Sequence, residues 1–201
     1  MYLFDYPVKY IDDQGKTHDI SLKIADTGDA DRPFRTASNR AVTTFSLKLS
    51  DGILLEDTGI SLRVIPNGAK ENHTARRVDS ETVAYPYGDH TEIEYSLTYS
   101  GFKEDIVVSR YTGQTEYSFT LRTGGLSLTQ IDGSYCLVDG AGTTKAVDGD
   151  IIIFTADERN NTFGTLRAET VVENQEYTLT IVLDPDYLSD PNTVYSIRID
   201  P

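Results

Sequence analysis

The chain has 201 residues, a length that can bury a hydrophobic core without a metal or a disulfide. Its 32 acidic and 18 basic residues give a formal net charge of −14, which repels polyphosphate, so we expect no nucleic-acid partner. The longest apolar run, residues 151–154, is far shorter than the roughly 20 residues that cross a bilayer, so we expect no membrane insertion. The single cysteine, Cys136, excludes an internal disulfide and a multi-cysteine zinc site.

Apolar and polar residues alternate along most of the chain, and helical spacing is not sustained over any long window. The alternating stripes, in chain order, are Ile20, Leu22 and Ile24; Phe45, Leu47 and Leu49; Ile60, Leu62 and Val64; Ile93, Tyr95, Leu97 and Tyr99; Tyr117, Phe119 and Leu121; and Tyr177, Leu179, Ile181 and Leu183. A strand with one buried face has this period. The pattern predicts an all-β fold, with antiparallel β-sandwich-like layers, hairpin connections and at most one or two short helical turns.

Dipeptides that favour tight turns lie between these stripes, because glycine adopts the positive φ that short hairpins need. They are Asp51-Gly52, Gly124-Gly125, Asp132-Gly133 and Asp139-Gly140. The helical candidate is the segment 184–188, where Asp184 can cap the first turn and Pro185 can occupy its first position. We therefore expect short hairpins throughout and one or two helical turns in that segment.

A polar stretch, residues 67–80, interrupts the alternation and is the best candidate for a domain boundary. A long surface loop would have the same composition. The chain is therefore interpreted as a single β-rich module over residues 1–201, or as two sub-lobes, 1–65 and 82–201, joined by the polar segment 66–81.

No catalytic motif is recognisable in the sequence. The three histidines are far apart and form no His-Glu-x-x-His helix, and no serine lies in a Gly-x-Ser-x-Gly turn. Glu92 and Glu94 share one strand face, and the next strand begins with Lys-Glu-Asp at residues 103–105, so we expect cross-strand ion pairs on a solvated face. The chain is predicted not to be an enzyme. The enzymatic alternative is a glycoside hydrolase or esterase without a recognisable motif, because two carboxylates about 5 to 10 Å apart suffice for glycoside hydrolysis.

Two clusters of loop aspartates are candidate calcium sites, since Ca²⁺ binds clustered oxygen ligands. They are Asp26, Asp29 and Asp31, and Asp184, Asp186 and Asp190. Neither cluster fits the EF-hand pattern, and the alternative interpretation is that these aspartates stabilise turns and helix caps. No other cofactor is expected.

Tyrosine is abundant, with 13 residues, whereas tryptophan is absent, and most tyrosines fall on the apolar stripes. Tyr85, Tyr87 and Tyr111 lie outside that pattern and near loops. Exposed aromatic rings can stack on sugar rings. These three residues are therefore the candidate carbohydrate-binding platform.

Several segments resemble one family of bacterial proteins. They are Pro-Val-Lys-Tyr at residues 7–10, Gly-Phe-Lys-Glu-Asp-Ile-Val-Val at 101–108, Tyr-Ser-Phe-Thr-Leu at 117–121 and Val-Tyr-Ser-Ile-Arg-Ile-Asp-Pro at 194–201. Together they resemble the β module near the N-terminus of large Firmicutes surface proteins of the wall-associated, RHS (YD-repeat) and DNRLRE types. The sequence departs from the family at Ser196, where proline is usual, and at His18, where tryptophan is frequent.

The resemblance implies an exported, multidomain parent protein in which this module precedes repeats or adhesive domains, and it implies no established activity for the module. We therefore expect an extracellular, secreted or cell-wall-associated protein with a structural or docking role, and carbohydrate binding or adhesion as the alternative. The expected partners are neighbouring domains of the same polypeptide and cell-wall glycan. The start of the chain lacks a signal-peptide pattern, and both ends are interpreted as cut from a longer protein, with Pro201 leading into another domain. In a structural module the run 194–199 should be paired in a sheet.

Overall fold

The alternating segments form strands in a computed structural model, which describes residues 8–147, 151–156 and 161–201. The strands of these residues, in chain order, are β1 (Lys9–Ile11), β2 (Thr17–Asp19), β3 (Ser21–Asp26), β4 (Phe34–Ser38), β5 (Val42–Phe45), β6 (Ile53–Asp57), β7 (Ile60–Pro66), β8 (Arg76–Arg77), β9 (Thr82–Gly88), β10 (Thr91–Thr98), β11 (Gly101–Val108), β12 (Glu116–Arg122), β13 (Ser127–Ile131), β14 (Ser134–Val138), β15 (Thr144–Val147), β16 (Ile152–Phe154), β17 (Thr162–Phe163), β18 (Thr165–Val172), β19 (Glu176–Val182) and β20 (Ile197–Asp200). The predicted all-β fold with antiparallel layers is confirmed.

The largest layer is an eight-stranded antiparallel sheet with the order β18-β19-β12-β7-β6-β5-β4-β3. Its strands come from both sides of the polar segment 66–81, because β3 to β7 precede that segment and β12, β18 and β19 follow it. The segment 66–81 therefore does not separate two sheets. It includes the end of β7 and the short strand β8.

A seven-stranded sheet, with the order β17-β16-β20-β11-β10-β9-β8, covers part of one face of the eight-stranded sheet. Fully buried side chains from both sheets meet between them. They include Phe45 and Ile53 from the eight-stranded sheet and Tyr85, Ile93 and Ile106 from the seven-stranded sheet. Removal of these apolar faces from water is the main stabilising contribution to the fold.

A three-stranded sheet, β13-β14-β15, covers a further part of the same face. Leu137 of β14 packs there in one cluster with Leu62, Leu121 and Tyr177 of the eight-stranded sheet. Tyr117, Phe119 and Leu121 alternate along β12 and lie on one face, so the two clusters are neighbours along the strands. The hairpin β1-β2 forms a separate two-stranded sheet.

Three of the four predicted turn dipeptides contain glycines with positive φ, namely Gly52, Gly124 with Gly125, and Gly133, whereas at Asp139-Gly140 the positive φ lies two residues later, at Gly142. Asp132 and Gly133 connect β13 to β14 with φ values of 51° and 92°, the positive values that a two-residue hairpin turn requires. The predicted helical segment is the short helix α1 (Pro185–Ser189), whose first turn is capped by the Asp184 carboxylate. No helix within the described residues has the length and apolar character needed to span a membrane.

Gly52 is required by its surroundings as well as by its backbone conformation. It follows the 3-10 turn Leu49–Asp51 with a φ of 76°. A Cβ atom at this position would lie 2.7 Å from the carbonyl oxygen of Val64 and 2.6 Å from the side chain of Ile65. Since β6 and β7 are hydrogen-bonded neighbours, the Val64 carbonyl cannot move without distorting the sheet.

We expect Gly52→Ala to lower the free energy of unfolding by about 3 kcal/mol, because about 1–2 kcal/mol of left-handed strain adds to the clash with the backbone. Gly59→Ala is the matched control. Gly59 has a φ of 72° in the turn between β6 and β7, but its Cβ would meet no atom within 4 Å. Urea titrations measure both variants. Equal losses of stability in the two variants would contradict the role assigned to the Val64 carbonyl.

Candidate functional site

The predicted tyrosine platform is not an exposed surface. Tyr85 is 0% exposed and its hydroxyl donates a hydrogen bond to the Ser46 carbonyl at 2.7 Å. Its ring lies edge-on to Tyr95 at 5.9 Å between ring centres. The prediction of an exposed platform is wrong at Tyr85, because this residue belongs to the face of β9 that packs in the core.

Tyr87 and Tyr111 are half-buried and pack against the same core cluster. The Tyr87 hydroxyl donates to the Asn67 carbonyl, and the Tyr87 ring lies 6.2 Å from that of Tyr117. Burial raises the pKa of the Tyr87 hydroxyl. These contacts orient Tyr87 toward the protein, so it offers at most part of one ring face to a ligand.

The predicted calcium clusters are turns and a helix cap. In the first cluster, Asp29 accepts a hydrogen bond from the backbone N–H of Asp31 at 2.8 Å, and Asp26 lies 3.8 Å from Arg77. In the second cluster, Asp184 accepts from the backbone N–H of Asp186 at 2.9 Å.

Asp190, the remaining member of the second cluster, accepts from the backbone N–H of Asn192 at 2.8 Å. Among residues 8–147, 151–156 and 161–201, no three Asp, Glu, His or Cys side chains are grouped so that they could hold a metal ion. Calcium binding at these six aspartates therefore stays a prediction without support from a side-chain cluster in the described residues. The alternative interpretation, turn and cap aspartates, agrees with the hydrogen bonds.

Five charged residues form an ion network on the outer face of the seven-stranded sheet. Arg198 of β20 lies 2.9 Å from both Glu94 of β10 and Asp105 of β11. Lys103 of β11 lies 3.2 Å from Asp105 and 2.9 Å from Asp200 of β20. The network therefore joins three neighbouring strands, and one of them is β20.

The strand register explains why the ion network needs both Arg198 and Lys103. Glu94 lies directly opposite Asp105, and the register of β11 with β20 brings Asp200 opposite Asp105 on the other side. Like charges that are directly opposite each other destabilise a sheet. Arg198 and Lys103 stand diagonally between the three carboxylates and convert this repulsion into attraction.

Asp105 is the central member of the ion network. It is 5% exposed, and burial raises its pKa, whereas Arg198 and Lys103 oppose that increase. The expected cross-strand ion pairing is thus present, but the central carboxylate is buried instead of solvated. The sequence motifs at 103–105 and 198–200 supply four of the five residues.

Glu104 points to the opposite side of β11, into the interior. It lies opposite Tyr95 in the strand register, and its Oε2 atom is buried without a hydrogen-bond partner in the described residues. Burial raises the pKa of Glu104 to about 7; the nearby Tyr95 hydroxyl opposes this increase, and Asp105 adds to it. A carboxyl group in this position is protonated in mildly acidic solution and charged above neutral pH.

Glu104→Gln should make the protein more stable at pH 8 than the unchanged chain, by on the order of 3 kcal/mol at about 1.4 kcal/mol per pKa unit. The folded-state pKa of Glu104, about 7, exceeds its ordinary value of 4.5, so the folded chain binds more protons in that interval. Stability therefore falls as pH rises from 4.5 to 7. Denaturant titrations at pH 5 and pH 8 measure the difference, which should fall below about 1 kcal/mol at the lower pH.

Glu81→Gln is the control for this experiment, because Glu81 is exposed in the turn before β9. It should change stability little at either pH. A Glu104→Gln variant that is equally affected at pH 5 and pH 8 would contradict the burial of a titrating carboxyl group.

Comparisons with known proteins place the chain near one group of bacterial proteins. It is 28% identical over 140 residues to "tRNA nuclease WapA" of Bacillus subtilis, which is 66% of this chain and 6% of that protein. The identity and coverage are the same for "tRNA(Glu)-specific nuclease WapA" of Bacillus subtilis subsp. natto. For "tRNA3(Ser)-specific nuclease WapA" of Bacillus spizizenii the identity is 27% over 140 residues. No family model and no solved structure matches the chain.

The prediction that the protein is not an enzyme is contradicted by this comparison, because all three relatives are named as tRNA nucleases. The chain spans 6% of the length of the curated relatives that it matches. Their names therefore assign no reaction to particular residues of this chain. The absence of a nucleic-acid partner stays a prediction from the net charge of −14.

Proposed function

We propose that this chain is a structural or docking β module of a larger exported surface protein of the wall-associated type. Its similarity to the relatives supports the modular part of the proposal, because it covers 66% of this chain but 6% of each relative. The motifs at 101–108 and 194–201 support the surface-protein part, because they resemble those of wall-associated proteins. A chain of 201 residues has the size of one such module.

The main observation in support of a structural role is the position of β20 inside the seven-stranded sheet. This strand is inserted between β11 and β16 and pairs antiparallel with both. Ile197 and Ile199 on its inner side are 0% exposed, whereas Arg198 and Asp200 on its outer side belong to the ion network. Both faces and both edges of β20 are therefore held by the rest of the sheet.

This arrangement suits a segment that transmits tension or orientation to its neighbours. A force that acts along β20 shears hydrogen bonds with two strands at once, whereas a force on an edge strand meets one ladder. The ion network resists the same displacement, because sliding β20 along β11 separates Arg198 from Glu94 and Asp105. The N-terminal hairpin β1-β2 has a single ladder of three residue pairs.

Single-molecule force spectroscopy on the full chain, held at its two ends, tests this proposal with Arg198→Met. We expect the variant to unfold at lower force, because it leaves the buried Asp105 with Lys103 as its remaining cation. Since Arg198 is 41% exposed, the loss should lie between the roughly 1 kcal/mol of an exposed pair and the about 3–5 kcal/mol of a fully buried one. Forced unfolding reports the unfolding rate directly.

Arg167→Met is the matched control, since it removes one exposed arginine pair, with Glu116, at the edge of the eight-stranded sheet. Such pairs contribute about 0–1 kcal/mol, so the unfolding force should stay close to that of the unchanged chain. Equal unfolding forces in the two variants would contradict the proposal that β20 resists mechanical force.

Carbohydrate binding is the competing function, and a glycan array that includes peptidoglycan fragments distinguishes the two. We expect no binding that depends on Tyr87, because the Tyr87 ring is half-buried and its hydroxyl is engaged with Asn67. Tyr87→Ala is compared with Tyr135→Ala, a change of a second half-buried tyrosine in a different sheet. Reproducible glycan binding that is lost in Tyr87→Ala and retained in Tyr135→Ala would overturn the structural proposal.

A further inference from the structure

Strand β18 forms one edge of the eight-stranded sheet. It pairs with β19 on one side over Thr165–Val172, and in the described part of the chain no strand pairs with its other side. The ladder is regular from Thr165 to Thr170, and a register shift occurs between Thr170 and Val172. A regular edge of this length presents a row of free backbone N–H and C=O groups that can accept another strand.

The side chains of β18 are complementary to those of a second copy. Arg167 and Glu169 are both exposed and lie on the outer face, one residue on each side of Ala168. If two copies of β18 pair antiparallel about a two-fold axis at Ala168, Arg167 of each copy lies opposite Glu169 of the other. Opposite charges at directly paired positions stabilise antiparallel strands.

The charges of Arg167 and Glu169 also favour this register over the two registers in which the two-fold axis is shifted by one residue. Moving the axis by one residue toward Arg167 brings Arg167 opposite Arg167 of the second copy, and moving it toward Glu169 brings the two Glu169 side chains together. Both alternatives place like charges directly opposite each other, which destabilises the pair. Arg167 can keep its 2.7 Å contact with Glu116, because the guanidinium group can bind two carboxylates at once.

Exposed apolar side chains lie at both ends of this edge. Phe163, just before β18, is 68% exposed, and Val171 and Val172 at the other end are 55% and 45% exposed. In an antiparallel pair, the Phe163 end of one strand lies beside the Val171–Val172 end of the other. The pairing would therefore bury apolar surface twice, once at each end of the interface.

We propose that two copies of this chain associate through antiparallel pairing of β18, with the two-fold axis beside Ala168. The eight-stranded sheets of the two copies then form one continuous sheet. The proposal stands independently of the structural role of β20. Each copy has a net charge of −14, so association requires salt of near-physiological concentration, at which the Debye length is about 8 Å.

Sedimentation equilibrium of the full chain in about 150 mM salt, at about 1 to 500 μM, tests the proposal. We expect a reversible monomer–dimer equilibrium. Glu169→Arg should weaken dimerisation by about tenfold or more, because it places arginines opposite each other at both symmetry-related pairs. The double variant Arg167→Glu with Glu169→Arg exchanges the charges and should restore the affinity. Glu81→Arg changes the net charge by the same amount on the exposed turn before β9 and should leave dimerisation intact.

Ala168→Cys tests the register itself. A cysteine beside the two-fold axis faces its own copy at a Cα separation of about 4.5–5.5 Å, within the range of a disulfide. Mild oxidation should give a covalent dimer, and Glu169→Arg added to this variant should slow the cross-linking. A chain that stays monomeric over the whole concentration range, or a dimer that is unaffected by Glu169→Arg, would overturn the proposal.

Discussion

One face of the eight-stranded sheet must be covered along its whole length, and this constraint organises the rest of the chain. Strands such as β12 and β19 carry apolar residues from end to end on that face, and a single sheet does not cover them all. The seven-stranded sheet covers Tyr117 and Phe119, and the three-stranded sheet covers Leu121 and Tyr177. Because the two covering sheets lie side by side, the chain makes two hydrophobic clusters on one continuous layer.

The strand period of two also separates two neighbouring acids into different environments. Asp105 faces outward and is compensated by Arg198 and Lys103, whereas Glu104 faces inward with an Oε2 atom that has no hydrogen-bond partner in the described residues. Both carboxyl groups have raised pKa values, and burial is the largest cause for each. The outward residue ties strands together, and the inward residue makes the stability of the interior depend on protonation.

Local patterns in the sequence predicted the elements well, because periodicity and turn residues act over a few positions. Asp132-Gly133 and the Asp184 cap are examples, since each is decided by neighbours in the chain. The alternation of apolar residues predicted one strand, β5, to be longer than it is. Leu47 and Leu49 continue the apolar stripe after Phe45, but β5 ends at Phe45 and Leu49 is buried in a 3-10 turn.

The candidate sites could not be predicted from local sequence patterns, because they depend on contacts between residues that are distant in the chain. Glu94 and Arg198 are distant in the chain, and their contact exists because β11 lies between β10 and β20 in the sheet. Tyr85 lies outside the apolar stripes of the sequence and was therefore predicted to be exposed near a loop, yet it lies on the inner side of β9. The spacing of the aspartates is compatible with metal ligands or with turns, and the hydrogen bonds that Asp29, Asp184 and Asp190 accept from nearby backbone N–H groups are those of turns and a helix cap.

The central place of β20 also constrains the order in which the chain can fold during synthesis. In the described residues, β11 and β16 are joined through β20, so the seven-stranded sheet exists as two separate parts until residues 197–200 have left the ribosome. Strand edges that stay unpaired tend to pair with non-native strands. The nascent chain therefore carries the open edges of β11 and β16 until β20 has been synthesised, and β20 then closes both edges in one step.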